Sequence, residues 1–358
     1  MRRQRLLIPG VLGFVFGAFA AVIGAGIIQL HAMRVTATAA PMPSLSYDIL
    51  YENVDEFLGY DPEAAIEMIE STQQKATNDF DLAIGHYYLA EVYAFIGEDD
   101  LAIEHYEQTQ ILLFPFFNTL IDVGELSSAY YFVIIAADGA WNYDAAQQYY
   151  EEMKEVIPPM LVDLDDAQAI AEGYLNLINT AVIMGDGYTE MYYSDMRAAI
   201  IPFLDDLVDM NDMVETYTAL IEAAMLIGDY EYFQAYNEEL IDKLKPIRDQ
   251  LVDPKELAIV NKVLGEAESS LGHYQFAAVY YQDLVNLEPT ARNVFLLAST
   301  YYMGGNHGCA YHWYQELLEM INQGEITSFQ GMYRDIAETA IEQLEEACGE
   351  SGVLQYCR

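Results

Sequence analysis

The sequence predicts an all-α chain, a solenoid of stacked helical hairpins preceded by one N-terminal transmembrane helix. Three observations predict it. Residues recur like for like at an offset of 33 positions. The apolar runs after residue 45 are long, rich in Ala, Leu and Met, and spaced for helices rather than strands. An uncharged apolar run fills residues 6–30.

At the amino terminus, residues 1–5 (MRRQR) form a basic end, which the topology below places in the cytoplasm. The run from Leu6 to Leu30 would be about 38 Å long as a helix, more than the roughly 30 Å hydrocarbon layer. A cleaved signal peptide needs an apolar region of only about 7–15 residues, so the length favours an uncleaved signal anchor, even though Ala37 and Ala39 stand in a cleavage-like arrangement. Arg2, Arg3 and Arg5 precede the span and only Arg34 closely follows it. Positive charge is retained on the cytoplasmic side, which puts everything after the span on the exterior, periplasmic or extracellular. Residues 31–44 are then a tether in a single-pass protein of the cell membrane. Gly13 and Gly17 have the spacing that lets two spans pack closely, a route to weak self-association.

Residues 45–322 carry the repeats. The stretch LGHYQFAAVYYQDLVNLEP, Leu271 to Pro289, reads as a turn, an amphipathic helix and a stop. Moving on by 33 residues takes Leu264 to Leu297, Gly272 to Gly305, Ala277 to Ala310, Tyr281 to Tyr314 and Leu284 to Leu317. A period in this range marks a helix pair that cannot bury its apolar face alone and does so against its neighbours.

These residues resemble the tetratricopeptide repeat. Leu264, Gly265, Gly272, Ala277, Tyr281 and Pro289 stand in its slots, with Glu268 departing where the first aromatic is usual. The next unit restores that ring at Tyr301 and has Asn322 for the proline; an earlier one carries Leu89, Ala90, Tyr93, Gly97, Ala102 and Tyr106. Small residues let the two helices cross closely, rings fill the gap beside them, and glycine supplies the turn. Weaker copies are GYDPEAAIEMIE near Gly59, WNYDAAQQYYEEMKEVIPP with Ala146, Tyr150 and Pro158, and LIGDYEYFQAYNEEL with Gly228. Asp166 to Met210 matches least, and Pro202 within it is expected to start a new helix or kink the old one. Residues 323–358 form a capping helix, Ile326 to Ala347, and a tail.

The resemblance implies a right-handed superhelix whose first helices line a concave groove for peptides or partner proteins. The groove positions here would be Tyr87, Phe95, Tyr131, Glu222, Lys262, Phe295 and Tyr302. Repeat packing explains one tyrosine of doublets such as HYYLAEVY, QQYYEE and VYYQD; the second needs another home, either in that groove or between repeats. Family members that clamp a carboxylate tail use Lys, Arg and Asn at these positions. Only Lys262 and Arg292 are basic here, so that sub-function is not expected.

Charge narrows the partners. Fifteen basic residues against 57 acidic ones leave a net charge of −42, which repels nucleic acid and acidic lipid surfaces. The carboxylates are spread through every repeat, as suits a hydrated surface; a landing site for a basic partner or divalent cations is the sharper alternative. DLVDMNDMVE and DLDDAQ lack the glycine and the bidentate glutamate of an EF-hand loop. No nucleophile elbow, zinc-protease helix, phosphate loop or CxxC pair is present, so no enzyme activity, cofactor or metal is expected. His307, Cys309 and His312 are close enough to share a metal, but they coincide with a repeat turn and are read as structural. An exterior location permits disulfides. Cys348 and Cys357 are expected to close the tail loop, leaving Cys309 as a small buried residue; Cys309 with Cys348, or three free thiols, are the alternatives.

The expected function is therefore a membrane-anchored scaffold or adapter. It would bind a partner protein, including subunits of a membrane complex, on the exterior side of the membrane, in export, envelope assembly or membrane-complex maturation. The alternative is a recruitment subunit of a transporter, docking a solute-binding protein or a small ligand.

Overall fold

The computed structural model describes residues 62–76, 78–118, 122–162, 164–323 and 330–349. Among the described residues fourteen α-helices follow one another: α1 (Pro62–Gln73), α2 (Asp79–Ile96), α3 (Asp99–Leu113), α4 (Val123–Gly139), α5 (Tyr143–Leu161), α6 (Ala167–Met184), α7 (Thr189–Leu204), α8 (Met210–Ile227), α9 (Tyr230–Arg248), α10 (Pro254–Ser270), α11 (Tyr274–Leu287), α12 (Ala291–Met303), α13 (His307–Asn322) and α14 (Gln330–Gly349). Among the described residues there is no strand. The helices from α2 to α13 form six hairpins, α1 precedes them and α14 closes the array.

Local chemistry sets the boundaries. Asn78, Asp122, Asn142, Asp166, Asp209, Asp229, Asp253, Thr290 and Asn306 each accept a backbone N–H of the helix that follows. Such a cap is worth about 1 kcal/mol. Each hairpin turn repeats one bond, from a backbone N–H just past the first helix to a carbonyl five residues earlier: Glu98 to Tyr93, Asn142 to Ala137, Asp186 to Ala181, Asp229 to Ala224, His273 to Glu268 and Asn306 to Tyr301, all at 2.8–2.9 Å. This bond needs a left-handed residue just before the donor. Gly97, Gly185, Gly228, Gly272 and Gly305 supply it in five hairpins, and Trp141 at φ 59° in the sixth.

Packing follows the expected slots. Ala102, Ala146, Ala277 and Ala310 are buried at helix crossings, beside the buried rings of Tyr106, Tyr150, Tyr281 and Tyr314. A Cβ on Gly265 would lie 2.7 Å from Tyr281 Cε1, so the ring rests directly on that glycine. The weakly matching segment 166–210 is a regular hairpin, α6 with α7. Pro202 lies in the last turn of α7 and starts no new helix. The apolar core runs as clusters in series along the array, the largest from α2 to α10 and the next from α10 to α14. The first helices α4, α6 and α8 lie side by side, while toward both ends a second helix meets the next first helix, as α3 meets α4 and α11 meets α12.

The apolar run 6–30 with Gly13 and Gly17, the tether, Gly59 and Cys357 lie outside the described residues. Among the described residues no helix is long and apolar enough to cross a membrane.

Candidate functional site

Counting back from the left-handed residue of each turn aligns the first helices. Ten residues back stand Tyr87, Tyr131, Leu175, Thr218, Lys262 and Phe295; six back stand Glu91, Ile135, Asn179, Glu222, Glu266 and Ser299; thirteen back stand Ile84, Ser128, Glu172, Glu215, Ile259 and Arg292. Separations of three and four residues put these sets on one face of every first helix.

That face carries a polar line where α4, α6 and α8 touch. Asn176 Nδ2 donates to Ser127 Oγ at 2.9 Å and to Ser128 Oγ at 3.1 Å, and Ser128 Oγ donates to Glu172 Oε1 at 3.0 Å. Gly124 makes room, since a Cβ there would sit 2.6 Å from Glu172 Oε2. One helix on, Asn179 bonds the carboxyl of Glu222. Burial raises the Glu222 pKa to about 7, and the Asn179 bond only partly opposes it. At the N-terminal end Glu91 accepts the hydroxyl of Tyr106. Toward the C-terminal end the same face turns basic, with half-buried Lys262 and Arg292. A line of carboxylates, amides and hydroxyls flanked by rings is chemically suited to hold a polypeptide by its backbone and its cations.

The expected groove rings divide into three groups. Phe95 is open to solvent, 59% exposed. Tyr87 and Tyr131 are half-buried and bracket Phe132, with ring centroids at 5.2 and 5.5 Å, in an aromatic string joining α2 to α4. Phe295 and Tyr302 are engaged by α14. The Phe295 ring lies 4.9 Å from that of Tyr333, and Tyr302 Oη donates to Gln343 Oε1 at 2.8 Å. The capping helix thus occupies the place of a further hairpin and takes these two rings for packing, which corrects their assignment to an open groove.

Tyrosines gather around the few cations, Tyr193 and Tyr280 of the doublets among them, whereas Tyr149 meets Phe117 at 5.8 Å. The Arg197 guanidinium on α7 lies 3.3 Å from the Tyr232 ring centroid and 5.5 Å from that of Tyr193, and its Nε donates to Tyr236 Oη at 3.0 Å. Lys154 on α5 sits over Tyr150 at 4.5 Å and Tyr188 at 5.5 Å, and pairs with Asp186 at 3.2 Å. Arg248 on α9 lies over Tyr280 at 5.2 Å, donates to Asn261 at 2.6 Å, and pairs with Asp283. Each cation leaves the second helix of one hairpin and lands on the next. Lys245 does the same for Glu268, which explains that departure from the repeat pattern: the buried carboxylate takes Lys245 Nζ and His273 Nδ1, both at 3.0 Å, where two other hairpins place a ring, Tyr93 and Tyr301, and three an alanine. Sequence pattern alone could not show these staples, because the partners are 23–39 residues apart.

Cys309 is disulfide-bonded. With three cysteines in the chain, that excludes the expected Cys348–Cys357 pair. The physical reason is the return of α14 along α13: Tyr311 Oη donates to Glu345 Oε1 at 2.9 Å, so Cys309 lies beside the end of the capping helix. The Cys309 sulfur is therefore no thiolate ligand beside His307 and His312, and among the described residues no group of three or more metal-ligating side chains comes together.

No protein-family model matches the chain. No curated protein matches it either. Among solved structures it is similar to "Assembly Chaperone of RpL4 (Acl4)", residues 1–338, at 12% identity over 85% of this chain and 98% of that one, with a TM-score of 0.27. It is also similar to a chain titled "Computational Design of Self-Assembling Cyclic Protein Homooligomers", at 13% identity over 95% of each chain, with a TM-score of 0.11. At these scores neither likeness carries an argument about function or partner.

Proposed function

We propose that this chain is a tetratricopeptide-type binding scaffold, a right-handed superhelix anchored by residues 6–30. It holds a partner protein, such as a subunit of a membrane complex, on the exterior side of the membrane. Its work is binding, in export, envelope assembly or membrane-complex maturation. The observation that carries this reading is the polar line across α4, α6 and α8. Helices packed only for stability would meet along an apolar seam, whereas here Ser127, Ser128, Glu172, Asn176, Asn179 and Glu222 hold polar chemistry at the seam. Tyr131, half-buried beside that line, supplies a rigid ring of the kind that dominates binding energy.

The test is cross-linking capture of the intact, membrane-anchored protein, followed by mass spectrometry, for wild type and for Tyr131→Ala and Glu222→Lys. An exterior-facing assembly factor or complex subunit captured by wild type, and lost from both variants at unchanged helix content, supports the reading. Recovery of a permease or solute-binding protein instead moves the assignment to transporter recruitment. Equal capture by all three proteins rejects the inner face as the contact surface.

A further inference from the structure

Trp141 occupies the turn position that is glycine in the other five hairpins of the array, and it adopts the same left-handed backbone, φ 59°. A side chain there crowds the following carbonyl, and for a bulky residue the conformation is an outlier. The ring gains little from its own fold in return, because Trp141 is 64% exposed and meets Tyr143 edge-on at 6.2 Å. Strained residues that are also exposed concentrate where a surface is used.

Trp141 is also not isolated. Hairpin geometry brings all six turns between first and second helices to one edge of the array. Of the seven exposed aromatic side chains among the described residues, six stand at these turns: Phe95, Trp141, Tyr143, Tyr188, Tyr230 and Phe276. The opposite edge carries Phe114, Ile111, Ile201 and single valines, Val162, Val208 and Val252. Carboxylates alternate with the rings, as in Glu98, Asp99 and Asp100 at the first turn, Asp138 and Asp144 about Trp141, and Asp229 and Glu231 about Tyr230. The segments 94–103, 138–146, 183–192, 226–234, 270–278 and 303–311 contain no Lys or Arg, although Lys154 of α5 reaches the third turn, where it pairs with Asp186 and lies over Tyr188.

We infer that this edge is a second docking surface, centred on Trp141, for a polypeptide segment in which basic and apolar residues alternate. Charge complementarity selects that occupant. Rings spaced by one hairpin, with carboxylates between them, match apolar anchors separated by lysine or arginine, and they repel an acidic lipid surface or an acidic peptide. The inference rests on the binding-scaffold reading for the existence of a partner, and assigns it a surface other than the inner face.

Trp141→Gly separates binding from folding, since glycine suits the turn. The full-length protein in detergent is titrated, at physiological salt, with a labelled peptide of alternating lysine and leucine and with its glutamate counterpart. The expected result is that Trp141→Gly melts no lower than wild type yet binds the lysine peptide at least about tenfold more weakly. The Val208→Ser and Val252→Ser controls on the opposite edge should bind it as wild type does, the glutamate peptide should not bind, and Glu222→Lys reports whether the face shared by the first helices takes the peptide instead. Equal affinity of Trp141→Gly and wild type overturns the inference. An equal loss in the valine controls overturns it too, by showing that the peptide merely follows net charge. If only Glu222→Lys loses the peptide, the inner face stands and the edge falls. Binding to zwitterionic vesicles that depends on Trp141, with no peptide binding, would assign the edge to a bilayer and overturn the polypeptide occupant.

Discussion

Replacing Arg197 by methionine tests whether the scarce cations hold the hairpins in register. One guanidinium spans from α7 to α9, stacked on Tyr232 and bonded to Tyr236. Stacking at a partly exposed site is worth about 1 kcal/mol. A hydrogen bond from a charged donor adds about 1.5 kcal/mol, the low end of its range, because the site is half open to water. Methionine keeps most of the apolar stem, so the packing loss is small. The total, roughly 2–3 kcal/mol, should lower the melting temperature by about 5 °C in a chain of this length. In a solenoid that energy belongs to the interface between units, so the heat-capacity peak should also broaden as the hairpins on either side uncouple. Calorimetry on wild type, Arg197→Met and Lys255→Met is the assay. Lys255 is exposed in the first turn of α10, so its loss changes net charge equally without touching a tyrosine cage. A double-mutant cycle with Tyr232→Leu should return a coupling of about 1 kcal/mol. If Arg197→Met melts within about 1 °C of Lys255→Met and the coupling is near zero, the cage is ornament on the surface and the staple argument is refuted.

Two pH responses should run in opposite directions. With its pKa raised to about 7 by burial, Glu222 contributes stability that is full below the ordinary carboxylate range and lost as pH rises through about 7, on the order of 1–3 kcal/mol; Glu222→Gln should flatten that limb in urea titrations between pH 5 and 8.5. Burial and the neighbouring His105, whose ring nitrogen lies 2.8 Å away, lower His86 to about 4, so stability around α2 and α3 is full above about pH 6.5 and lost as pH falls toward 4. Hydrogen exchange corrected for intrinsic rate should therefore loosen α2 and α3 at pH 5 while α6 and α8 tighten, and a uniform change along the chain would reject both assignments. Mass mapping without reductant should find Cys309 linked to Cys348, which lies three residues beyond Glu345 on α14; a Cys348–Cys357 peptide would contradict it. Because a net charge of −42 opposes compaction and is screened within about 3 Å at 1 M salt, the melting temperature should rise between low and molar salt, and a flat response counts against self-repulsion.

What was legible in the sequence was whatever local spacing encodes. The 33-residue offset placed Ala277, Tyr281, Ala310 and Tyr314 in the core, because a helix crossing needs a small residue and a ring at fixed distance from the turn. The segment 166–210 matched poorly because its turn, Gly185 to Tyr188, carries different residues around the same backbone, and backbone geometry rather than residue identity defines the hairpin. What was not legible depended on contacts between units. Phe295 and Tyr302 look like groove residues until α14 folds back over them, and Cys309 looks like a core residue until that helix returns past it.

The same reasoning connects the cation–ring contacts with the acidity. A chain with 57 carboxylates and 15 cations has few ion pairs with which to fix one hairpin against the next. Stacking a guanidinium or ammonium on a ring fixes such a junction without neutralising a carboxylate, so one cation can take a ring and an acid together, as Lys154 takes Tyr150 and Asp186, and Arg248 takes Tyr280 and Asp283. Neighbouring tyrosines on a second helix then face different ways: Tyr281 lies on Gly265 inside the hairpin, and Tyr280 reaches back to Arg248 on the preceding unit. The surplus of carboxylates is thereby left on the surface and among the first helices, and the proposed choice of a basic partner rests on that surplus.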